Sequence, residues 1–531
     1  MAKLAHELFL LEPRHPVILR FCGTSKGSAT GLELVRSICI QILLVSGETA
    51  SISTVPGTYK DAVKCLHGLL ERNPMYLLID SLDQLSDADM ARSRISFLDG
   101  VVPHPLTRII VSALPDEKDA DGKWIYCYGC STRLRCDSVP EVTVNKLSSH
   151  NDEMVRTFTS LLRRKGMTLI ADQMTYAVAQ ASVEATALYV RLACREIETW
   201  RSSDNVTGSL PATVFALINK IFDDLEKTFG LTLVQGALGF LTFSVGGVSD
   251  REMEDLLSLD DEVLKSVFEH SDPGVKRCPS HVWLRLRAAL TGLVVERTGG
   301  CWSWYHRQLK EAAERRYSPF KEKLHHVMGK YFGNVDDPIG TRAERSIAVQ
   351  PLWYGEIPIW FDGCRINARR CSEALHHFVE CGMIREAAKM ICDVSSICAH
   401  VKAGEGFKLV EYSARALQLS NVPELDRALH DRLSHYTRWL RQDMTFIVES
   451  PVMHISASIG NQPLASFVRK EWEFFVKRTR VTDGLTRYGT HMYFFLICFC
   501  SFCTVRKGKC FRKIVGFVAS YLVEKKISSR Y

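Results

Sequence analysis

The sequence lacks a long hydrophobic run, a strong excess of one charge sign and an apolar N-terminal leader. Its longest apolar stretch, 492–505, is shorter than the roughly 20 residues that a membrane-spanning helix needs. The net charge is +7 over 531 residues, and so small an excess does not by itself indicate nucleic-acid binding. The first residues are polar and helix-like, unlike a signal peptide. We therefore predict a cytoplasmic chain with neither a membrane nor a nucleic acid as its partner.

Cysteines are plentiful but do not form a complete metal motif. The 18 cysteines are scattered and lie mostly in apolar stretches, which is typical of reduced thiols in a cytoplasmic protein. Cys127, Cys130 and Cys136 have the spacing of half a zinc site. No second Cys or His pair follows at zinc-finger distance, so we favour structural thiols over zinc.

The most informative segment is 75–85, which reads MYLLIDSLDQL. An apolar run that ends in an acid, with a second acid three positions later, is typical of a buried parallel strand that brings a carboxylate to a Mg²⁺-nucleotide site. Asp80 would then serve the metal through water, and Asp83 would help to place the attacking water. A buried strand that simply ends in an Asp-containing turn explains the segment equally well. Upstream of it, the phosphate-loop pattern G-x-x-x-x-G-K-[ST] is absent.

Strand-like and helix-like segments alternate in the first part of the chain, which predicts a parallel sheet. Ligands of such sheets bind at the carboxyl ends of the strands, where Asp80 and Ser112 both fall. The hydroxyl of Ser112 is placed to contact a γ-phosphate, although Ser is also common at strand ends for reasons of turn formation. The predicted strands are 16–22, 75–80 and 107–112, and the predicted helices are 31–45, 59–73 and about 87–98.

The pattern becomes almost entirely helical after about residue 145, with apolar residues at helical spacing. Two short apolar arms around Gly299-Gly300 predict a β-hairpin and, after the preceding helices, a winged helix. His306 follows the hairpin and is a candidate phosphate contact, but a lone His beside aromatics is more often a packed core residue. The predicted helices before the hairpin include 152–165, 172–180 and 184–200.

The order of these features resembles that of the NACHT-type STAND NTPases, the AAA+-like signalling ATPases, and within them the NACHT and WD repeat domain proteins. The resemblance covers about residues 1–440 and is more specific than any single motif. It rests on RFCGTS at 20–25, VRSICIQI at 35–42, LIDSLDQL at 78–85, LYVRLA at 188–193, GVSDREMEDLLSLDD at 247–261 and WYHRQL at 304–309.

The resemblance implies an α/β region followed by an all-α region. The α/β region is a truncated P-loop NTPase core with a parallel sheet. The expected domains are this core over 1–145, a helical lid over 146–215, a winged helix over 216–320, a helical repeat-like region over 321–480, and an unassigned basic, Cys- and Phe-rich tail over 481–531.

The function that the resemblance implies is an ATP-dependent switch and oligomerisation scaffold whose full-length form binds ATP or ADP and Mg²⁺. Asp80 would serve the metal, Asp83 the water, Ser112 the γ-phosphate and His306 the ADP state. Protein partners would dock on 321–480, and self-association into an oligomer is a further expectation. A non-catalytic helical adaptor with a degenerate nucleotide fold is the alternative.

The sequence also departs from the family pattern. Ala187 stands where relatives usually have a Pro that touches the base, Gln84 where many have Glu, and Leu114 where many have Arg. Met1 resembles an internal methionine just after a phosphate loop, and no WD-repeat spacing recurs. We therefore expect weak hydrolysis and, for the chain as given, little or no ATP binding and an exposed apolar sheet edge.

Overall fold

The computed structural model describes most of the first 473 residues, and the described residues divide into two compact units, one before and one after the boundary between residues 144 and 145. Each unit is described by itself. The described residues are 1–473 except 24–27, 29, 49–54, 119–123, 127–128, 145–146, 148–150, 270–275, 298, 336–340, 355–364, 421–426, 450–454, 456–457, 460, 464–465 and 472.

A three-stranded parallel sheet organises the first unit. Its strands are β1 (Val17–Phe21), β2 (Tyr76–Asp80) and β3 (Arg108–Val111), in the order β1-β2-β3. β2 reads as a continuous apolar run because it is the central strand, and Leu77, Leu78 and Ile79 are fully buried. Phe21 pairs with Asp80, so the carboxyl ends of β1 and β2 lie side by side. The three predicted strands are therefore present, and they form the predicted parallel sheet.

Helices pack on this sheet and share one core with it. Threonines begin two of them: Thr30 and Thr58 each accept a hydrogen bond from the backbone N–H three residues later, which satisfies a donor that the first turn leaves free. The elements are α1 (Ala2–Leu11), α2 (Gly31–Val45), α3 (Tyr59–Arg72), the short antiparallel pair β4 (Glu117–Lys118) and β5 (Trp124–Tyr126), and α4 (Cys130–Cys136).

The predicted helix over about 87–98 is wrong. This segment forms turns, with left-handed backbone at Asp89, Met90 and Ile95. Polar side chains take the backbone bonds that a helix would use: Asp87 accepts from the Ser93 N–H at 2.8 Å, and the Ser96 hydroxyl donates to the Asp89 carbonyl at 2.8 Å. Asp and Ser compete with helices in this way. The apolar residues that suggested helical spacing are instead buried along an irregular segment.

Helices dominate the second unit, and its buried apolar residues form one cluster from Met154 to Val468. None of the helices in the described part of the chain has both the length and the apolar character needed to cross a membrane. In chain order they are α5 (Asn151–Arg163), α6 (Ala171–Ala181), α7 (Ala187–Ile197), α8 (Val214–Phe229), α9 (Leu231–Phe243), α10 (Asp250–Leu259), α11 (Asp261–Val267), α12 (Ser280–Ala289), α13 (Arg307–Tyr317), α14 (Lys321–Gly333), α15 (Thr341–Glu344), α16 (Ala368–Glu380), α17 (Ile384–Ile391), α18 (Val394–Lys402), α19 (Gly406–Leu419) and α20 (Arg427–Glu449).

Two small antiparallel sheets interrupt these helices. The first contains β6 (Val248–Ser249), β7 (Val294–Arg297) and β8 (Cys301–Trp304) in the order β6-β8-β7. β7 and β8 form the predicted hairpin, and Gly299 and Gly300 supply the positive φ angles, 86° and 72°, that its turn requires. The second sheet pairs β9 (Trp353–Tyr354) with β10 (Arg365–Ile366).

A notch of two glycines brings α14 and α16 into close contact. Gly329 and Gly333 lie one turn apart on α14, and the ring of Phe378 from α16 fills the space above both. A Cβ atom on Gly333 would approach Phe378 Cε1 and Cε2 at 2.9 Å. Because Phe378 is itself only 1% exposed, its ring has little room to move away.

Gly333→Ala should destabilise the second unit by roughly 1–3 kcal/mol, the usual cost of overpacking a core. Gly68→Ala is the matched control, since Gly68 lies within α3 and a Cβ there meets nothing within 4 Å. It should stabilise the first unit by about 0.5–1 kcal/mol, the helix propensity gained. Scanning calorimetry of the full chains measures both effects, and hydrogen exchange of α14 and α3 assigns them to their units. If both variants were more stable than the parent, the Phe378 ring would not fill the space above Gly333.

Candidate functional site

Asp80 and Ser112 meet at the carboxyl edge of the parallel sheet. Asp80 is the last residue of β2, and Ser112 directly follows β3. The Ser112 hydroxyl donates to Asp80 Oδ1 at 2.5 Å, and the Ser112 N–H donates to the Ile79 carbonyl at 2.9 Å. Both side chains are partly exposed. The structure thus brings together the two strand-end residues that the sequence singled out.

The turn after β2 holds the Ser112 hydroxyl in place. Ser81 has a left-handed backbone, with φ 62° and ψ 56°, and its N–H donates to Ser112 Oγ at 2.9 Å. The next N–H, that of Leu82, donates to the Ser112 carbonyl at 2.9 Å. The Ser112 side chain therefore accepts from one backbone group while it donates to Asp80, so its orientation is fixed at both ends.

Asp83 lies beneath this edge and is only 2% exposed. Its Oδ1 accepts from the Leu114 N–H at 3.1 Å, and its Oδ2 accepts from Gln84 Nε2 at 2.6 Å. The carboxylate therefore joins the segment after β2 to the segment after β3. Gln84 and Leu114 are two of the positions at which the sequence departs from the family pattern. Gln84 contacts Asp83 through its side chain and Leu114 through its backbone N–H, and the sequence alone did not reveal that they meet at Asp83.

Two buried thiols and a glycine complete the surroundings. Burial first, and then the charges of Asp83 and Asp80, raise the pKa of the Cys22 thiol to about 12. Burial and Asp83 likewise raise the pKa of Cys130 to about 11, so both thiols are neutral near pH 7. Gly23 has φ 69°, and a Cβ there would approach Gln84 Cβ at 2.8 Å. Sequence reasoning missed Cys22, although it directly follows β1 and so reaches the same sheet edge.

His306 belongs to the second unit, where it begins α13. It is exposed, and its Nδ1 accepts from the Gln308 N–H at 3.2 Å. The packed-core interpretation of this histidine is therefore wrong, since its ring caps a helix at the surface. Its role toward a nucleotide stays a prediction.

The suspected half zinc site receives no support from the residues that can be described. Cys130 is buried and Cys136 is exposed, at opposite ends of α4. Cys127 lies outside the described residues. Within the described part of the chain, no group of three metal-competent side chains includes either Cys130 or Cys136.

The donor set at the sheet edge fits a hard cation. Asp80 offers a partly exposed carboxylate and Ser112 a hydroxyl, and Mg²⁺ prefers oxygen ligands of this kind while it keeps several waters. Asp83 is less available, because both of its oxygens already accept hydrogen bonds from the protein.

Comparison with known proteins finds similar proteins whose names contain NACHT and WD repeat domains. The chain matches no protein-family model. It is 27% identical over 456 residues to NACHT and WD repeat domain-containing protein 2 of Mus musculus, covering 77% of this chain and 25% of that protein. It is 28% identical over 464 residues to NACHT domain- and WD repeat-containing protein 1 of Mus musculus, covering 80% of this chain and 28% of that protein. The Homo sapiens form of the latter is also 28% identical, over 416 residues, covering 73% of this chain and 25% of that protein.

The predicted resemblance to NACHT and WD repeat domain proteins is therefore confirmed. The chain spans about a quarter of the length of the curated relatives it matches.

Asp83→Ala should destabilise the first unit by about 1–3 kcal/mol, because it leaves the Leu114 N–H and the Gln84 amide without their acceptor. Asp87→Ala is the control: its carboxylate also accepts a backbone N–H, that of Ser93, but at an exposed position where water replaces it. Urea unfolding of the two variants measures the difference. Equal losses would show that Asp83 does not clamp the two segments.

Proposed function

We propose that the chain is the nucleotide-responsive part of a NACHT-type STAND protein, a slow switch and oligomerisation scaffold that binds Mg²⁺ and ATP or ADP in its full-length form. The observation that carries the proposal is the Asp80–Ser112 pair at the carboxyl edge of a parallel sheet. Homology to NACHT-domain proteins over about three quarters of the chain supports it independently.

Asp80 and Ser112 are the residues that would hold Mg²⁺ and the γ-phosphate. When bound, Mg²⁺ supplies positive charge that stabilises the nucleotide phosphates. In the structure Ser112 donates to Asp80. In the second, ligand-bound state this hydrogen bond would break, and each residue would contact the metal or the phosphate. Because Ser81 fixes the Ser112 oxygen, only the hydroxyl proton has to turn.

Asp83 would act mainly by holding the edge together, and its part in placing a water would be small. Its two oxygens already accept from Leu114 and Gln84, which are neutral donors. Modest hydrolysis fits a protein whose bound nucleotide sets its state and is not turned over rapidly. In this scheme the state of the protein depends on which nucleotide it holds, and the rate of hydrolysis matters less.

The second unit would transmit the switch. We assign α5 to α7 to a helical lid, and α8 to α12 with the sheet β6-β8-β7 to a winged helix, because a run of helices precedes a hairpin that closes a three-stranded sheet. His306, directly after that hairpin, would report the ADP state. The helices from α14 onward would receive protein partners and support oligomers.

Asp80→Asn tests the proposal, since it keeps the size of the side chain and removes its charge. In the full-length protein, a fluorescent ATP analogue titrated with Mg²⁺ and with EDTA gives the Mg²⁺-dependent gain in affinity. We expect the variant to lose at least about tenfold of that gain, or ~1.4 kcal/mol, with binding in EDTA unchanged.

Asp172→Asn is the control, because it removes an exposed carboxylate from α6 in the second unit. It should bind the analogue like the parent protein under both conditions. Mg²⁺-dependent binding that survives Asp80→Asn would remove Asp80 from the metal site. If the parent protein shows no Mg²⁺-dependent binding of the analogue, the proposed nucleotide switch itself is contradicted.

A further inference from the structure

Three histidine rings converge where α14 and α16 pack together. His325 lies on α14, and His376 and His377 are adjacent on α16. The ring centroids are 5.0–5.4 Å apart in all three pairs. One nitrogen from each ring lies within 4.8 Å of the other two, and the Nδ1 atoms of His325 and His377 are 2.7 Å apart. This is the only such group of metal-competent side chains among the residues that the structure describes.

One nitrogen of this cluster is left without a partner. Within the described part of the chain, His325 Nε2 is buried and makes no hydrogen bond, and His325 as a whole is 1% exposed. Buried polar atoms are almost always paired, and an unpaired one costs free energy. The His325 ring therefore has an unmet bonding capacity, which a ligand would meet.

The outer contacts of the rings are those that orient metal-bound imidazoles. His377 Nε2 faces Glu373 Oε2 at 3.2 Å, which leaves Nδ1 of the same ring toward His325. The hydroxyl of Tyr412, from α19, lies 3.2 Å from His376 Nδ1. For these two rings, the carboxylate or hydroxyl behind the ligand fixes the tautomer and the ring orientation.

We propose that His325, His376 and His377 bind a transition-metal ion, Zn²⁺ by preference, through three imidazole nitrogens with one position left for water. Imidazole ligands suit Zn²⁺ and disfavour Mg²⁺ or Ca²⁺, which prefer oxygen. Zn–N bonds of about 2.0–2.1 Å place the ligand nitrogens of a tetrahedral site roughly 3.3 Å apart. His325 Nδ1 and His377 Nδ1 lie 2.7 Å apart, so ion binding would replace this hydrogen bond and move the two rings slightly apart.

The ion would act as a clamp on the second unit. Its ligands join α14 to α16, and Tyr412 adds α19. Glu373, behind His377, accepts the backbone N–H groups of Val245 and Gly246 just before β6. Metal occupancy would therefore stabilise one junction of three helices and a turn. The site lies apart from Asp80 and Ser112 in the chain and does not depend on the proposed nucleotide switch.

Zinc uptake by the full chain tests the proposal. The protein is stripped with a chelator, reloaded with Zn²⁺, desalted and analysed for metal per chain. His376→Gln should hold one Zn²⁺ fewer than the parent. His400→Gln is the matched control, because His400 is also a buried histidine whose Nε2 lacks a partner in the described structure, but it lies outside the cluster. It should take up the same metal as the parent.

Tyr412→Phe is a second variant that tests the site even if His376→Gln fails to fold. It removes only the hydroxyl behind His376 and keeps the ring. We expect it to fold like the parent and to bind Zn²⁺ about 10–100-fold more weakly. Co²⁺ substitution gives the ligand type: a tetrahedral visible spectrum that is lost in His376→Gln supports the site. Equal Zn²⁺ uptake by the parent and His376→Gln, or a Co²⁺ spectrum dominated by thiolate charge transfer in both, would overturn it.

Discussion

The close approach of α14 and α16 is the constraint on which the second unit depends. Gly329 and Gly333 admit the ring of Phe378, and this contact sets the distance between the two helices. At that distance Glu373, one turn before His377, becomes completely buried. A buried carboxylate is tolerated only where its oxygens are fully paired. Because the two helices pack this closely, Glu373 is buried, and its carboxylate needs hydrogen-bond donors from the protein.

Those donors come from distant parts of the sequence and so tie the unit together. Val245 and Gly246 donate backbone N–H groups, and Arg369 donates from its guanidinium at 2.8 Å. Burial alone would raise the pKa of Glu373, but Arg369 and the contact with His377 hold it below its ordinary range. Arg369 also binds Glu252, the residue that completes the capping box of α10. Removing Arg369 would leave the buried Glu373 carboxylate without its counter-ion, so the network favours one arrangement of α10 and α16.

Much of this architecture could be predicted from the sequence, but the side-chain clusters could not. Local periodicity predicted β1 to β3, α2, α3 and the hairpin at Gly299-Gly300, because each depends on residues close in sequence. It failed over 87–98, where Asp and Ser side chains compete for backbone bonds. The histidine cluster depends on the packing of two helices that are separated in the chain. The local signals for it were the adjacent pair His376-His377 and the spacing of Glu373 and His377, one helical turn apart.

The departures from the family pattern acquire a physical meaning around Asp83. Where the resemblance leads one to expect Glu and Arg, this chain has Gln84 and Leu114. Gln84 donates to the Asp83 carboxylate through its side-chain amide, and Leu114 through its backbone N–H. A glutamate at 84 would repel Asp83 across the same contact, so the neutral amide is what allows Asp83 to be buried and doubly bonded. Only the residue at 84 contacts Asp83 through its side chain, since any residue other than proline would supply the N–H at 114. The Gln84 amide takes one oxygen of Asp83 and the Leu114 N–H takes the other, so this carboxylate joins the segment after β2 to the segment after β3.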